Sequence, residues 1–509
     1  MGMPLLSALR LNARRLPHRP ALRFRDQTWS YVELLSRAES AAAALAALGI
    51  APGEKVPMLS INHPDMLVAY FALTGIGAVP APLNYRLTDS DLHHGISAAH
   101  ARFVLFGSGF GGRAAAMADP AWRPIVFADA AHDAPKGALH WDELLQSDPH
   151  RAPPLGREGS TIMLHTSGTT GRPKGALRSR FGFEERAIAQ RFGMDDRTLA
   201  ALPLCLSAGC VYTLLPLYLG ASVTLLDHFD AGTAIETIEC AHITSTMLLP
   251  AMLQAMVDHP RWSGADLSSL RVVQSGAGTL SGALKRRLLD RLGEGVLNIY
   301  AASTEVGPYA NLDGAEVARH LDGNCVGRPF FGVELKLLDD EGHEVATGEV
   351  GEICCRSNSQ YDGYFEDDEL TESTRRGDFL TVGDLGRVDD DGLLHFVGRK
   401  RDIIKSGGIN VYASEIEQVL QQHPAVAEAH CIGLPDERLT ELICAVIVPH
   451  ADASPSPDEL SAFAAARLAA YKKPRRVVLM SEVPKNLTGR VLKTQLVEQV
   501  LALPEPRPE

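Results

Sequence analysis

One stretch concentrates more chemistry than any other: HTSGTTGRPKGA, His165 to Ala176. It follows the apolar run TIML, whose pattern predicts a strand. Gly168, Gly171 and Gly175 let the backbone turn tightly and bring amide N–H groups to an anion. Ser167, Thr169 and Thr170 are hydroxyl donors at the same place. Lys174 adds a full positive charge on a flexible stem. Together these groups suit phosphate oxygens. The segment is not a Walker P-loop, which needs Gly directly before the Lys and Ser or Thr after it; Pro173 and Gly175 hold those places. Composition alone would also allow a polar hairpin loop, and it is the order of residues that favours phosphate.

In that order the stretch resembles the phosphate-binding signature of the adenylate-forming superfamily: acyl- and aryl-CoA synthetases, luciferases and the adenylation domains of peptide synthetases. Further matching stretches follow in the family's order from about Ser30 to Lys493. The resemblance implies a large N-terminal AMP-binding domain, residues 1–400, and a small mobile C-terminal domain, residues 401–509. It implies that ATP activates a carboxylate to an acyl-adenylate with release of pyrophosphate, and that the acyl group then passes to a thiol.

The same resemblance distributes roles. Thr166, Ser167, Gly168, Thr169, Thr170, Gly171 and Lys174 would hold the ATP phosphates, with Lys174 also a catalytic candidate. SGAGTL, alone a plain turn after the strand LRVVQ, would line adenine and the acyl carbonyl through Gly276, Ala277 and Gly278. In NIYAASTEVG, Thr304 would contact phosphate and Glu305 would bind Mg²⁺, an ion that prefers hard oxygen ligands. The family's stacking tyrosine aligns with Ala301, and Tyr300 precedes it by one; either the backbone bulges so that Tyr300 still stacks on adenine, or the stacking is lost. Asp384 of VGDLGR would accept from the ribose hydroxyls, with Arg399 a second ribose or phosphate contact. Arg401 falls at the hinge, and Lys405, Gly407 and Gly408 form the loop that would face CoA after the small domain rotates.

Two stretches depart from the pattern. In LPLCLSAGC, Cys205 and Leu206 stand where many members carry an aromatic–His pair near the acyl site. In VPKNLTGRVLK, Arg490 stands where the family has the lysine that bridges carboxylate and α-phosphate. Arginine keeps the charge but spreads it over a planar fork. By position Arg490 is the cation that reaches the site, and Lys485 and Lys493 are expected to be solvated.

These residues need a scaffold, and the chain alternates helix and strand. SYVELLSRAESAAAALAALGI opens on Ser30 with Glu33 three residues later, a capping box, and Gly49 supplies the stop. Strands are predicted in KVPMLSIN, AVPAPLN, ARFVLFG, SVTLLD and LRVVQSG, giving an α/β fold of stacked, mostly parallel sheets with helices. After about Gly327, short strands with Gly and Asp turns predict a β-rich, more antiparallel subdomain. From Arg401 a small α+β unit begins, with Ser414 and Glu417 as a second capping box.

Composition sets outer bounds. A chain of 509 residues exceeds one hydrophobic core. The formal net charge of −13 argues against a nucleic-acid partner. The uncharged stretches Met66–Tyr85 and Thr198–Leu226 are broken by Gly and Pro, which fits buried helix–turn–strand units rather than membrane spans. Eight cysteines without a CxxC pair predict buried thiols in a reducing cytoplasm. The leading expectation is an acid–CoA ligase using ATP, Mg²⁺, CoA and a small-molecule fatty or aromatic acid. Carrier-protein loading and nitrite-dependent diazotisation of an aryl amine stand as alternatives, and a non-catalytic nucleotide-binding protein as a third.

Overall fold

A computed structural model describes residues 2–107, 109–127, 132–151, 160–167, 173–485, 489 and 491–504. The first long helix, Tyr31–Ala47, begins as its sequence predicts. The Ser30 hydroxyl accepts from the Glu33 N–H, and the Glu33 carboxylate accepts from the Ser30 N–H at 2.8 Å. Gly49 ends the turn at φ +81°, a conformation that favours glycine. Leu34, Ala38, Ala41 and Leu45 form its buried face.

Both uncharged stretches are buried units. Helix Pro64–Gly75 runs into strand Val79–Pro82. Strand Arg197–Ala200, helix Ser207–Leu219 and strand Ser222–Leu225 make the second. Every residue of Pro64–Gly75 is buried, which explains why that helix has no polar face. Among the described residues no helix is long and apolar enough to cross a membrane.

The largest sheet has two textures. Its parallel part runs, in spatial order, Leu297–Ser303, Val272–Ser275, Ser245–Leu248, Arg197–Ala200, Ser222–Leu225 and Pro20–Phe24. Beyond Leu297–Ser303 the pairing turns antiparallel, through Gly307–Leu312, Cys325–Pro329, Leu394–Arg399, Phe379–Val388, Val350–Ser357 and Val333–Leu338. This matches the change of texture after Gly327. A second sheet, from Val79–Pro82 to Leu139–His140, is wholly parallel. A third is small and antiparallel: Ile162–Ser167, Pro173–Arg178 and Gly363–Tyr364. The first two of these strands pair antiparallel with Ser167 opposite Pro173, and Pro173 opens a strand rather than a helix. A fourth sheet gathers Ile403–Ser406, Ile409–Tyr412, Val426–Asp436, Thr440–Pro449 and Arg476–Leu479.

One predicted cap is corrected. The helix near Ser414 runs Ala413–Leu420 with Tyr412 at its N-cap, and no side chain caps it. The Ser414 hydroxyl donates to the Val397 carbonyl, and Glu417 accepts from the Cys431 N–H at 2.8 Å. Both side chains take tertiary partners in place of the local ones. Seven cysteines are buried as predicted, and Cys240 is exposed.

Candidate active site

The site forms where parallel pairing gives way to antiparallel, at the carboxyl ends of Val272–Ser275 and Leu297–Ser303. Gly276 follows the first of these strands. A Cβ there would lie 2.6 Å from the Tyr300 carbonyl oxygen and 2.8 Å from its ring, so only glycine lets the strand ends close up. Ala277 adopts φ +62°, a left-handed conformation that costs a residue with a Cβ about 1–3 kcal/mol.

Register around Tyr300 does shift, between Ala301 and Ala302. The bulge leaves Tyr300 with its ring against Gly276 and 5.6 Å from the Tyr212 ring, centroid to centroid. Ala301 points the other way and packs with Ala176, Tyr309 and Leu394. Both residues line the cavity, and position 301 offers no ring to it.

That cavity has a volume of about 260 Å³, near the lower end of small-ligand clefts. Ala277, Gly278, Tyr300, Ala301, Asp384 and Arg399 line one side. Tyr412, Glu417 and Lys493 line the other. Asp384 and Arg399 face each other on neighbouring strands. Arg399 Nε is 3.0 Å from Asp384 Oδ1, and the Tyr309 hydroxyl donates to Asp384 Oδ2 at 3.0 Å. Burial, and then the nearby Asp384 charge, push the Tyr309 phenol well above its ordinary pKa, so it stays a donor.

A second cluster sits at the hairpin sheet. Glu305 is buried, 8% exposed, and the Tyr364 hydroxyl donates to its Oε1 at 2.6 Å. Lys174, paired with Thr166 across the hairpin, has its Nζ 6.0 Å from the centre of the Tyr364 ring. Arg178, on the same strand, donates to the Thr304 carbonyl at 2.8 Å and to the Ser359 carbonyl. Burial lowers its pKa to about 9. His165 meets the Pro82 carbonyl through Nδ1 at 3.0 Å, and burial lowers its pKa, which favours the neutral ring. Gly168, Thr169, Thr170, Gly171 and Arg490 lie outside the described residues, and Thr166 and Ser167 are described only as strand backbone.

Glu305 fits a divalent cation. Among the described residues no Lys, Arg or His nitrogen lies within 4.0 Å of its carboxylate, which is buried with a neutral hydroxyl as partner. The Arg178 guanidinium acts on it only through space, and burying a carboxylate without a directly paired cation is costly. No group of three or more His, Cys, Asp or Glu that could hold a metal occurs among the described residues. One carboxylate suits Mg²⁺, which takes its remaining ligands from phosphates and water.

The tail segment corrects one expectation. Lys485 pairs with Glu428 at 2.5 Å, and Lys493 Nζ donates to the Cys431 carbonyl at 3.0 Å. Lys493 also stands 3.6 Å from Glu417 and 4.0 Å from Asp402, and it lines the cavity. Neither lysine is simply solvated, because each has an acidic partner on the fold. Gly489 lies against the helix Pro250–Asp258, its notional Cβ 3.9 Å from Ala251 Cβ. Gly278 approaches the same helix, its notional Cβ 3.4 Å from Pro250.

Arg401 is flanked by two differently anchored neighbours. Lys400 reaches back to Asp340 at 2.7 Å and Glu352 at 3.2 Å. Asp402 faces Lys493. Arg401 Nε lies 3.7 Å from Asp402. Lys405, Gly407 and Gly408 are exposed in the hairpin between Ile403–Ser406 and Ile409–Tyr412 and do not line the cavity. Tyr309, Tyr364 and Arg178 escaped the sequence reading. The stretch YDGYFED, rich in aromatics and acids beside a glycine, was the available signal for Tyr364.

The family model described as AMP-binding enzyme matches residues 9–365, and that described as AMP-binding enzyme C-terminal domain matches 415–490. The chain is 35% identical to an indoleacetate–CoA ligase of Aromatoleum aromaticum over 96% of both chains. It is 34% identical to a feruloyl-CoA synthase of an Amycolatopsis species, over 95% of this chain and 96% of that one. The amide bond synthetase McbA from Marinactinospora thermotolerans superposes with a TM-score of 0.87 at 27% identity, over 98% of this chain and all of that one. The chain belongs to the AMP-binding enzyme family.

Proposed function

We propose that this protein is an ATP-dependent, AMP-forming acid–CoA ligase acting on an aromatic acid. Its kinship with an indoleacetate–CoA ligase and a feruloyl-CoA synthase supports that substrate class, since both named acids are aromatic. The observation that carries the reading is the placing of Asp384 and Arg399 on the wall of the cavity bounded by the Gly276–Gly278 turn.

In this reading the ribose hydroxyls donate to Asp384, whose position Arg399 and Tyr309 hold. Lys174 and the Gly168–Gly171 amides hold the phosphates. Glu305 would hold Mg²⁺, which when bound would neutralise charge on the phosphate oxygens. The acid carboxylate attacks the α-phosphate over Gly276 and Ala277, forming a mixed anhydride and releasing pyrophosphate. Arg490, next in the chain to Gly489, stabilises the charge that develops; a contact of this kind is worth about 10²–10³ in rate. The small domain, residues 401–509, then turns at Arg401 and brings Lys405, Gly407 and Gly408 to the site. The CoA thiol attacks the adenylate and AMP leaves. The protein works in the cytoplasm, where its buried thiols stay reduced.

The test is ATP–pyrophosphate exchange over a panel of aryl and fatty acids, followed by AMP release with and without CoA. Exchange with an aryl acid, and AMP release that needs CoA, is the expected result. AMP release driven by an amine or a carrier protein in place of CoA would sink it. Arg490 favours that second reading, because it departs from the family lysine, and the likeness to an amide bond synthetase agrees. Arg490→Lys discriminates further: faster adenylation marks a tolerated departure, and lost activity marks a site tuned to arginine.

A further inference from the structure

Strand Gly363–Tyr364 is only two residues long, yet it joins the two halves of the phosphate end of the site. It pairs with Pro173–Arg178 so that Tyr364 lies opposite Ala176, two residues from Lys174. The neighbouring Phe365 N–H donates to the Gly175 carbonyl at 2.8 Å. From there Tyr364 crosses to the other side. Its hydroxyl donates to Glu305 Oε1 at 2.6 Å, and its ring lies under the Lys174 ammonium. Tyr361 supports it edge-on at 5.2 Å and donates its own N–H to the Glu305 carbonyl oxygen at 2.8 Å.

A carboxylate has two oxygens. Tyr364 occupies one and leaves Oε2 without a hydrogen bond among the described residues. A neutral donor fixes the orientation of the group without cancelling its charge. An arginine or lysine in the same place would compete with an incoming cation. We propose that Tyr364 is a positioning residue for the metal–phosphate end of the site: its hydroxyl aims Glu305 Oε2 at the divalent ion, and its ring sets the height of Lys174. This rests on the adenylating function proposed above. Groups that orient a metal ligand typically change affinity by about 10–100-fold when removed.

The experiment measures ATP binding by calorimetry at a series of free Mg²⁺ concentrations, with no acid present, for wild type, Tyr364→Phe and Glu305→Gln. Wild type should bind ATP more tightly as Mg²⁺ rises. Tyr364→Phe should move the midpoint of that rise upward by about 10–100-fold while leaving metal-free ATP affinity unchanged. Glu305→Gln should abolish the rise. The proposal is overturned if Tyr364→Phe keeps the wild-type midpoint, if it weakens metal-free and metal-bound ATP alike, or if Glu305→Gln keeps the rise. Thermal melting of both variants shows whether they fold. Where Mg²⁺ strengthens ATP binding but no acid supports pyrophosphate exchange, the ligase reading fails and this one stands.

Discussion

Asp384 and Glu305 are both buried carboxylates, and the fold treats them in opposite ways. Asp384 has a guanidinium 3.0 Å away and a phenol on its other oxygen. Glu305 has a phenol and no cation within 4.0 Å among the described residues. A carboxylate whose charge is already matched can accept from neutral hydroxyls without needing a further ion. Glu305 feels the Arg178 guanidinium only through space, and a buried carboxylate without a directly paired cation leaves room for one. On the proposed function, the same side-chain chemistry would be divided between sugar and metal by its neighbours.

The contrast can be broken in stages. Glu305→Gln carries the largest expected effect, a fall in ATP–pyrophosphate exchange of about 10²–10³ that no Mg²⁺ concentration restores. A mild loss there would erase the distinction between the two groups. Asp384→Asn comes next. It strips the partner from Arg399 in a partly buried place, so ATP binding weakens and the protein loses roughly 2–4 kcal/mol, discounted from the cost of breaking a fully buried pair because Arg399 keeps 28% of its side chain in solvent. Denaturant titration with and without ATP would show it, and an unchanged unfolding midpoint would deny the pair its role. Tyr309→Phe is smaller, about 1–3 kcal/mol, from one lost hydrogen bond to a charged group. It should weaken ATP binding equally at every Mg²⁺ concentration, unlike Tyr364→Phe; a Mg²⁺-dependent loss would blur the two halves.

The smallest effect lies at the tail. His430 first, and Lys485 beside it, hold Glu428 down at about pKa 2 against the opposing pull of burial. Its folded pKa lies below the ordinary carboxylate value, so its contribution to stability is complete above pH 4.5 and fades as pH falls toward 2. Glu428→Gln should therefore be less stable than wild type at neutral pH, with the gap closing through that acid window. A constant gap across pH would assign the effect to packing.

Sequence reading went furthest where the partners are neighbours in the chain. The Ala277–Gly278 turn on the cavity wall sits within a short window, and the alternation of helix and strand follows the apolar spacing, while Gly168–Gly171 lie outside the described residues. It failed where function is shared across distance. Tyr309 and Asp384 are 75 residues apart, and Tyr364 and Glu305 are 59 apart. No local pattern marks a tyrosine as donor to a carboxylate that strand pairing alone brings near. Ser414 shows the converse: its local pattern is a cap, but its hydroxyl donates to the Val397 carbonyl. Lys493 reads locally as one more surface cation because Glu417 and Asp402 meet it only in the folded chain.

The cysteines have a use outside chemistry. Seven are buried, with burial pushing Cys205, Cys210 and Cys444 up to about 12 and Cys354 up to about 11, while Cys240 lies exposed at the end of the helix Ala231–Cys240. At neutral pH a maleimide dye therefore has one natural point of attachment, far along the chain from Arg401. Adding a single cysteine at Glu437, already exposed, would give a donor–acceptor pair whose spacing reports, molecule by molecule, whether residues 401–509 move as the proposed function requires.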